Sequence, residues 1–101
     1  MAIDYLKLND ALRKAELCAL NAQQSNDGGS CNLDTPMIVL PRANRKKLAE
    51  LCVKLHDWGH SMFAVGVPLY GQGYCRTAMA EAAVESLRES GFRAYVHYCM
   101  D

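Results

Sequence analysis

The chain is short of proline, with three residues, and of aromatic side chains, which make up 8%. It also lacks an excess of charge: Lys and Arg total 11, and so do Asp and Glu. A balanced chain offers neither a global basic field for nucleic acid nor an acidic mimic of it, so any electrostatic argument has to be local. No apolar run approaches the roughly 18 residues of a membrane span. Met1-Ala2-Ile3-Asp4 leads into an amphipathic pattern instead of a signal-peptide core, which implies a cytoplasmic location and no membrane partner. The five cysteines, Cys18, Cys31, Cys52, Cys75 and Cys99, are odd in number and include no C-x-x-C pair, unlike a secreted disulfide framework or a zinc site. Cys18 and Cys52 fall in helical apolar patterns, where a free thiol serves as a small hydrophobe.

What remains is the composition of one globular domain: 101 residues, half of them apolar and 22% charged. Tyr5, Leu8, Leu12, Ala15, Cys18/Ala19 and Ala22 recur at spacings of three and four, which predicts a helix from Asp4 to about Gln24. Met37-Ile38-Val39-Leu40, bracketed by Pro36 and Pro41, predicts a short buried strand. Leu48, Leu51, Cys52 and Leu55 predict a second helix, with Asn44 as its N-cap and Gly59 just past its end. A second strand is expected from about His60 to Val67, closed by Pro68. Met79, Ala80, Ala83, Val84 and Leu87 predict a third helix that Gly91 stops. Phe92 to Met100 alternates with a period of two, a third strand.

The expected order is α-β-α-β-α-β, an α/β domain of three helices and a three-stranded sheet. The sheet is partly parallel if each helix makes the usual crossover. A hairpin between the second strand and Pro68 to Tyr74 would make it α+β, and periodicity does not separate the two.

The segment with the most chemistry is Leu69-Tyr70-Gly71-Gln72-Gly73-Tyr74-Cys75-Arg76-Thr77, between a strand and a helix. Helix starts present unpaired N–H groups, and glycines let backbone approach a phosphate closely. Arg76 offers a bidentate contact, Thr77 a hydroxyl or a cap, and Tyr70 and Tyr74 a stacking surface. The segment is neither a P-loop, lacking G-x-x-x-x-G-K, nor a dinucleotide fingerprint, lacking the third glycine. A tight turn with an ordinary cap accounts for the same letters.

Arg42, Arg45, Lys46 and Lys47 cluster where the second helix begins, against the macrodipole, which suits an anionic partner or an ordinary solvated face. Asn26 to Asp34 has no calcium-loop order. His56 and His60 have a helical zinc spacing but are separated by Trp58-Gly59, so no metal is expected. His97 and Cys99 share a strand face without an orienting acid, so no catalytic residue is assigned. Cys31 and Cys75 would be reactive only in an electropositive site.

Residues 26–36, the run Gly71-Gln72-Gly73 with Arg76-Thr77-Ala78-Met79-Ala80-Glu81, and the ending Ala94-Tyr95-Val96-His97-Tyr98-Cys99-Met100-Asp101 resemble small proteins encoded by phages and prophages. Such accessory proteins often counter host immunity, by sequestering a nucleotide second messenger or by blocking a defence protein. The first route is similar to that of the anti-Thoeris sponges, which hold cyclic ADP-ribose signals without cleaving them; no ligand residue carries over from them.

The glycine segment at a helix start, Arg76, the flanking tyrosines and the lack of a convincing catalytic set, taken with the resemblance, lead to the expectation of a non-enzymatic, oligomeric, cofactor-free binding protein of the host cytoplasm, with a phosphate-bearing nucleotide as partner. The expected ligand residues are Tyr70, Gly71, Gln72, Gly73, Tyr74, Arg76 and Thr77, aided by Arg42 and Arg45. The alternatives are an anti-CRISPR-type inhibitor that binds a host defence protein, and a small enzyme with a Cys/His site.

Overall fold

A computed structural model describes residues 3–22, 34–66 and 74–98, excepting the side chains of 74–76. Asp4 begins the first helix, α1 (Tyr5–Asn21): its carboxylate accepts the Lys7 amide at 3.1 Å, taking up one of the unpaired donors at a helix start. Leu8, Leu12, Ala15 and Ala19 lie on its buried side. The third predicted helix is α3 (Tyr74–Glu89). It ends at Gly91, whose φ of +94° lets the Gly91 and Phe92 amides reach the Arg88 and Leu87 carbonyls, both orphaned at the helix end.

Between them run β1 (Thr35–Val39), α2 (Arg45–Ala49), β2 (Leu55–Asp57) and β3 (Met62–Val65), and β4 (Arg93–His97) follows α3. Among the described residues the sheet has four strands in the order β2-β3-β1-β4, and every neighbouring pair is antiparallel. The three-stranded, partly parallel expectation is therefore corrected to α-β-α-β-β-α-β with an antiparallel sheet. Both crossovers exist but skip a strand: β1 lies between β3 and β4, and β3 lies between β1 and β2. These are split β-α-β units.

The extra strand lies within the second predicted helix. Asn44 caps α2 as expected, accepting the Lys46 and Lys47 amides, but the helix stops at Ala49. So short a helix is not stable on its own. The chain beyond it is tied down differently: the Cys52 amide donates to Asn9 of α1 at 2.9 Å, and Leu55–Asp57 then pair with β3. Gly59 has the expected left-handed backbone, φ +85°, but in the β2–β3 turn and not at a helix end. Pro36 lies inside β1 and not before it. The β3 ladder begins only at Met37, so the missing amide of Pro36 costs that ladder nothing.

One face of the sheet, carrying Ile38, Phe63, Val65 and Ala94, forms the core with α1 and α3. Burying one such aliphatic or aromatic side chain contributes about 1.5–3 kcal/mol. α1 also braces the α2 segment, since the Tyr5 hydroxyl accepts the Asn44 amide at 2.7 Å and the Lys47 ammonium lies over the Tyr5 ring. By strand alternation the opposite face carries His56, Met37, Met62, Ala64, Arg93, Tyr95 and His97. Met37 is fully buried there, the Tyr95 hydroxyl donates to the Met62 sulfur, and Trp58 meets His97 edge-on with ring centroids 5.0 Å apart.

Candidate functional site

Residues 67–73 lie outside the described residues, and with them Tyr70, Gly71, Gln72 and Gly73 of the expected site; Tyr74 and Arg76 are described only as backbone in the first turn of α3. Thr77 is described in full, and its hydroxyl donates to the Asp34 carboxylate at 2.5 Å. Asp34 is buried and closes the first polar segment. The described ends of the two polar segments therefore meet, and a carboxylate of the chain itself sits beside the first turns of α3, where a helix favours negative charge.

Arg42 and Arg45 lie elsewhere. They follow the C-terminal end of β1, whereas Asp34 and Thr77 meet at its N-terminal end. A five-residue strand, roughly 15 Å, separates them. What surrounds the two arginines is a groove that forms because α2 is short. A cavity of about 330 Å³ opens between α2 and β2 over Leu48, Leu55 and Phe63. It continues, through Arg45, Asp57 and Phe63, into one of about 220 Å³ that reaches Leu40, Arg42, His60 and Ser61. Its lining includes Arg42, Arg45, Lys54 and His60 against, among the described residues, one carboxylate, Asp57. An apolar floor under a few convergent cations is a usual make-up for a small-molecule pocket.

The rim is held in place by Asp57. Its carboxylate pairs with Arg45 and accepts the Gly59 amide at 2.7 Å, so one side chain links α2, β2 and the turn. The Gly59 amide first, and Arg45 second, hold the Asp57 carboxyl below its usual pKa. Arg45 itself stays largely exposed, with guanidinium donors to spare. Arg42 forms no ion pair or hydrogen bond among the described residues.

Backbone strain concentrates at this corner. Among the described residues only Arg42 (φ 58°), His60 (φ 52°) and Ser61 (φ 64°) are non-glycines in the left-handed region, and all three line the smaller cavity. The Met62 amide bonds the Gly59 carbonyl at 3.0 Å, so His60 and Ser61 are the central residues of a hairpin turn with positive φ at both. Asn-Gly is the usual pair there; His-Ser gives no such signal, which is why sequence reading missed the hairpin and weighed His60 only as a metal ligand, while nothing in the sequence singled out Lys54.

A third groove, about 520 Å³ between α3 and β4, is edged by Glu81 and Glu85 with Arg88. Its surplus of carboxylates is unfavourable to an anion. There the Tyr98 phenol is pushed up, by burial first and by the Glu81 charge next. His97 packs on Trp58, and Cys99, weighed with it as a Cys/His pair, lies outside the described residues. Among the described residues no three His, Cys, Asp or Glu side chains converge as metal ligands, and no helix is long and apolar enough to cross a membrane. No protein-family model, no curated protein and no solved structure matches this chain.

Proposed function

We propose that this chain is a non-catalytic binding protein for a phosphate-bearing nucleotide, of the kind that sequesters a cyclic nucleotide immune signal, and that the ligand lies in the groove beside α2. The observation that carries this reading is the coincidence of strain and charge. The three described non-glycine residues with left-handed backbone line one cationic corner. Such conformations cost about 1–3 kcal/mol each and cluster where binding or catalysis needs them. Arg42 and Arg45 grip the phosphate there, and the base covers the apolar floor of Leu48, Leu55 and Phe63. The Arg42 and Arg45 of the expected site are kept; the 71–77 segment becomes the competing location.

Isothermal titration with cyclic mono- and dinucleotides and with cyclic ADP-ribose isomers tests the reading. Binding that weakens at least about tenfold in both Arg42→Ala and Arg45→Ala, but not in Arg76→Ala, is the expected result. Loss in Arg76→Ala alone moves the ligand to the start of α3, and no heat from any of these nucleotides overturns the proposal.

A second reading rests on the opposite sheet face. Trp58, about half exposed, stands against His97, with Tyr95, His56 and Arg93 nearby and no acid among the described strand residues of that face. Aromatic side chains so arranged are a stacking platform for single-stranded nucleic acid. Quenching of Trp58 fluorescence by short oligonucleotides but not by mononucleotides favours this reading over the first.

A further inference from the structure

α1 presents a second seam on the side away from the core. Leu6 is 82% exposed and Leu17 61% exposed, and between them lie Asp10 and Arg13, both exposed. The spacings of four, three and four are those of one helix face that a second helix meets. The seam points roughly opposite Leu8, Ala11, Leu12 and Ala15, which pack inward. No ion pair among the described residues involves Asp10 or Arg13.

The order along this seam is Leu, Asp, Arg, Leu. Read backwards it is the same pattern with the two charges exchanged, so the seam is complementary to an inverted copy of itself. We infer that α1 is the interface between two copies of this chain, packed antiparallel about a two-fold axis. Leu6 then meets Leu17 of the second copy, Asp10 meets its Arg13, and the same two layers recur in reverse. A parallel pairing would set Asp10 against Asp10 and Arg13 against Arg13, so the charges select the direction. The two leucine layers supply the apolar burial at the ends, and a two-fold contact closes on itself as a dimer without growing further. The interface leaves the groove beside α2 and the aromatic sheet face uncovered by its own residues, and it stands whether or not either binds a ligand.

Sedimentation equilibrium of the full chain reads the association directly, and a reversible monomer–dimer equilibrium is expected. Asp10→Arg and Arg13→Asp each fill the two central layers with like charges, and each is expected to weaken association at least about a hundredfold. An equimolar mixture of these two variants restores opposite charges in both layers and associates as the wild type does. Leu6→Ala and Leu17→Ala also weaken it. All four side chains project away from the core, so circular dichroism spectra of the variants at low temperature should match the wild type, while their melting loses the concentration dependence that a dimer shows; if a charge variant fails to fold, the leucine variants replace it in the same assay. A wild-type chain that stays monomeric up to its solubility limit overturns the inference. So does a folded Asp10→Arg variant that associates normally, or a mixture that fails to associate.

Discussion

Replacing Arg42 by glycine separates what this residue costs the fold from what it gives a ligand. With φ at 58°, its Cβ crowds the following carbonyl, a penalty of about 1–2 kcal/mol for a residue other than glycine. Glycine removes the Cβ but gains freedom in the unfolded chain, which offsets about 0.4–1 kcal/mol. The net expectation is a gain of about 0.5–1 kcal/mol, a rise of roughly 3–6 °C in the thermal midpoint of a domain this size. Arg42→Ala keeps the Cβ, and the side chain is exposed, so its stability should stay within about 0.5 kcal/mol of the wild type.

Glycine more stable than alanine is the reverse of their order in a helix or strand, which makes the pair diagnostic. Urea unfolding followed by Trp58 fluorescence and circular dichroism measures both variants. Titration with the nucleotide should show both losing about ten- to a hundredfold in affinity, the worth of a charge-assisted hydrogen bond. If Arg42→Gly is no more stable than Arg42→Ala, the strain argument is wrong. If both bind as the wild type does, Arg42 is not a ligand residue.

Exchanging His60-Ser61 for Asn-Gly supplies the residues this turn ordinarily uses and should raise unfolding stability by about 1–2 kcal/mol, checked by thermal melting. The Ser86 hydroxyl is buried on α3 without a hydrogen-bond partner among the described residues, so Ser86→Ala should stabilise by about 1 kcal/mol in urea titrations. A Cβ at Gly66 would stand 2.7 Å from the Lys54 carbonyl oxygen, which is backbone, so Gly66→Ala should lower the urea midpoint by the equivalent of about 1–3 kcal/mol. The depressed pKa of Asp57 means that its contribution to the turn is complete above its usual 3.8 and is lost as pH falls through the lower folded value. The Gly59 amide resonance should titrate with a midpoint below 3.8, and a midpoint at or above it would contradict the Gly59 and Arg45 contacts.

The long helices were legible because their apolar residues repeat over several turns with a cap at the end of each: Asp4 opens α1 and Gly91 closes α3. The strand faces of β4 were also legible, since Ala94 and Val96 turn toward the core while Tyr95 and His97 turn to the other face. β2 was hidden because Leu48, Leu51 and Leu55 satisfy a helical spacing as well as a helix followed by a strand. Only pairing with β3, a tertiary event, separates the two. The groove was hidden for the same reason, because a longer α2 would have left no opening over Phe63. The two arginines were visible as charges, but their place at the far end of β1 from Thr77 depends on strand direction, which local sequence does not encode.

The register of β1 bears on how the chain reaches this state. Thr35 pairs with His97 and Val39 with Arg93, across roughly sixty residues of chain. β1, an inner strand of the sheet, therefore has one neighbour that leaves the ribosome more than fifty residues after it. Until then β1 has only β3 beside it, and its other edge is open to any extended segment nearby. Folding should be slow for a domain this small, with β1 and β4 docking late and the exposure of newly made chains to aggregation set by how quickly β4 arrives.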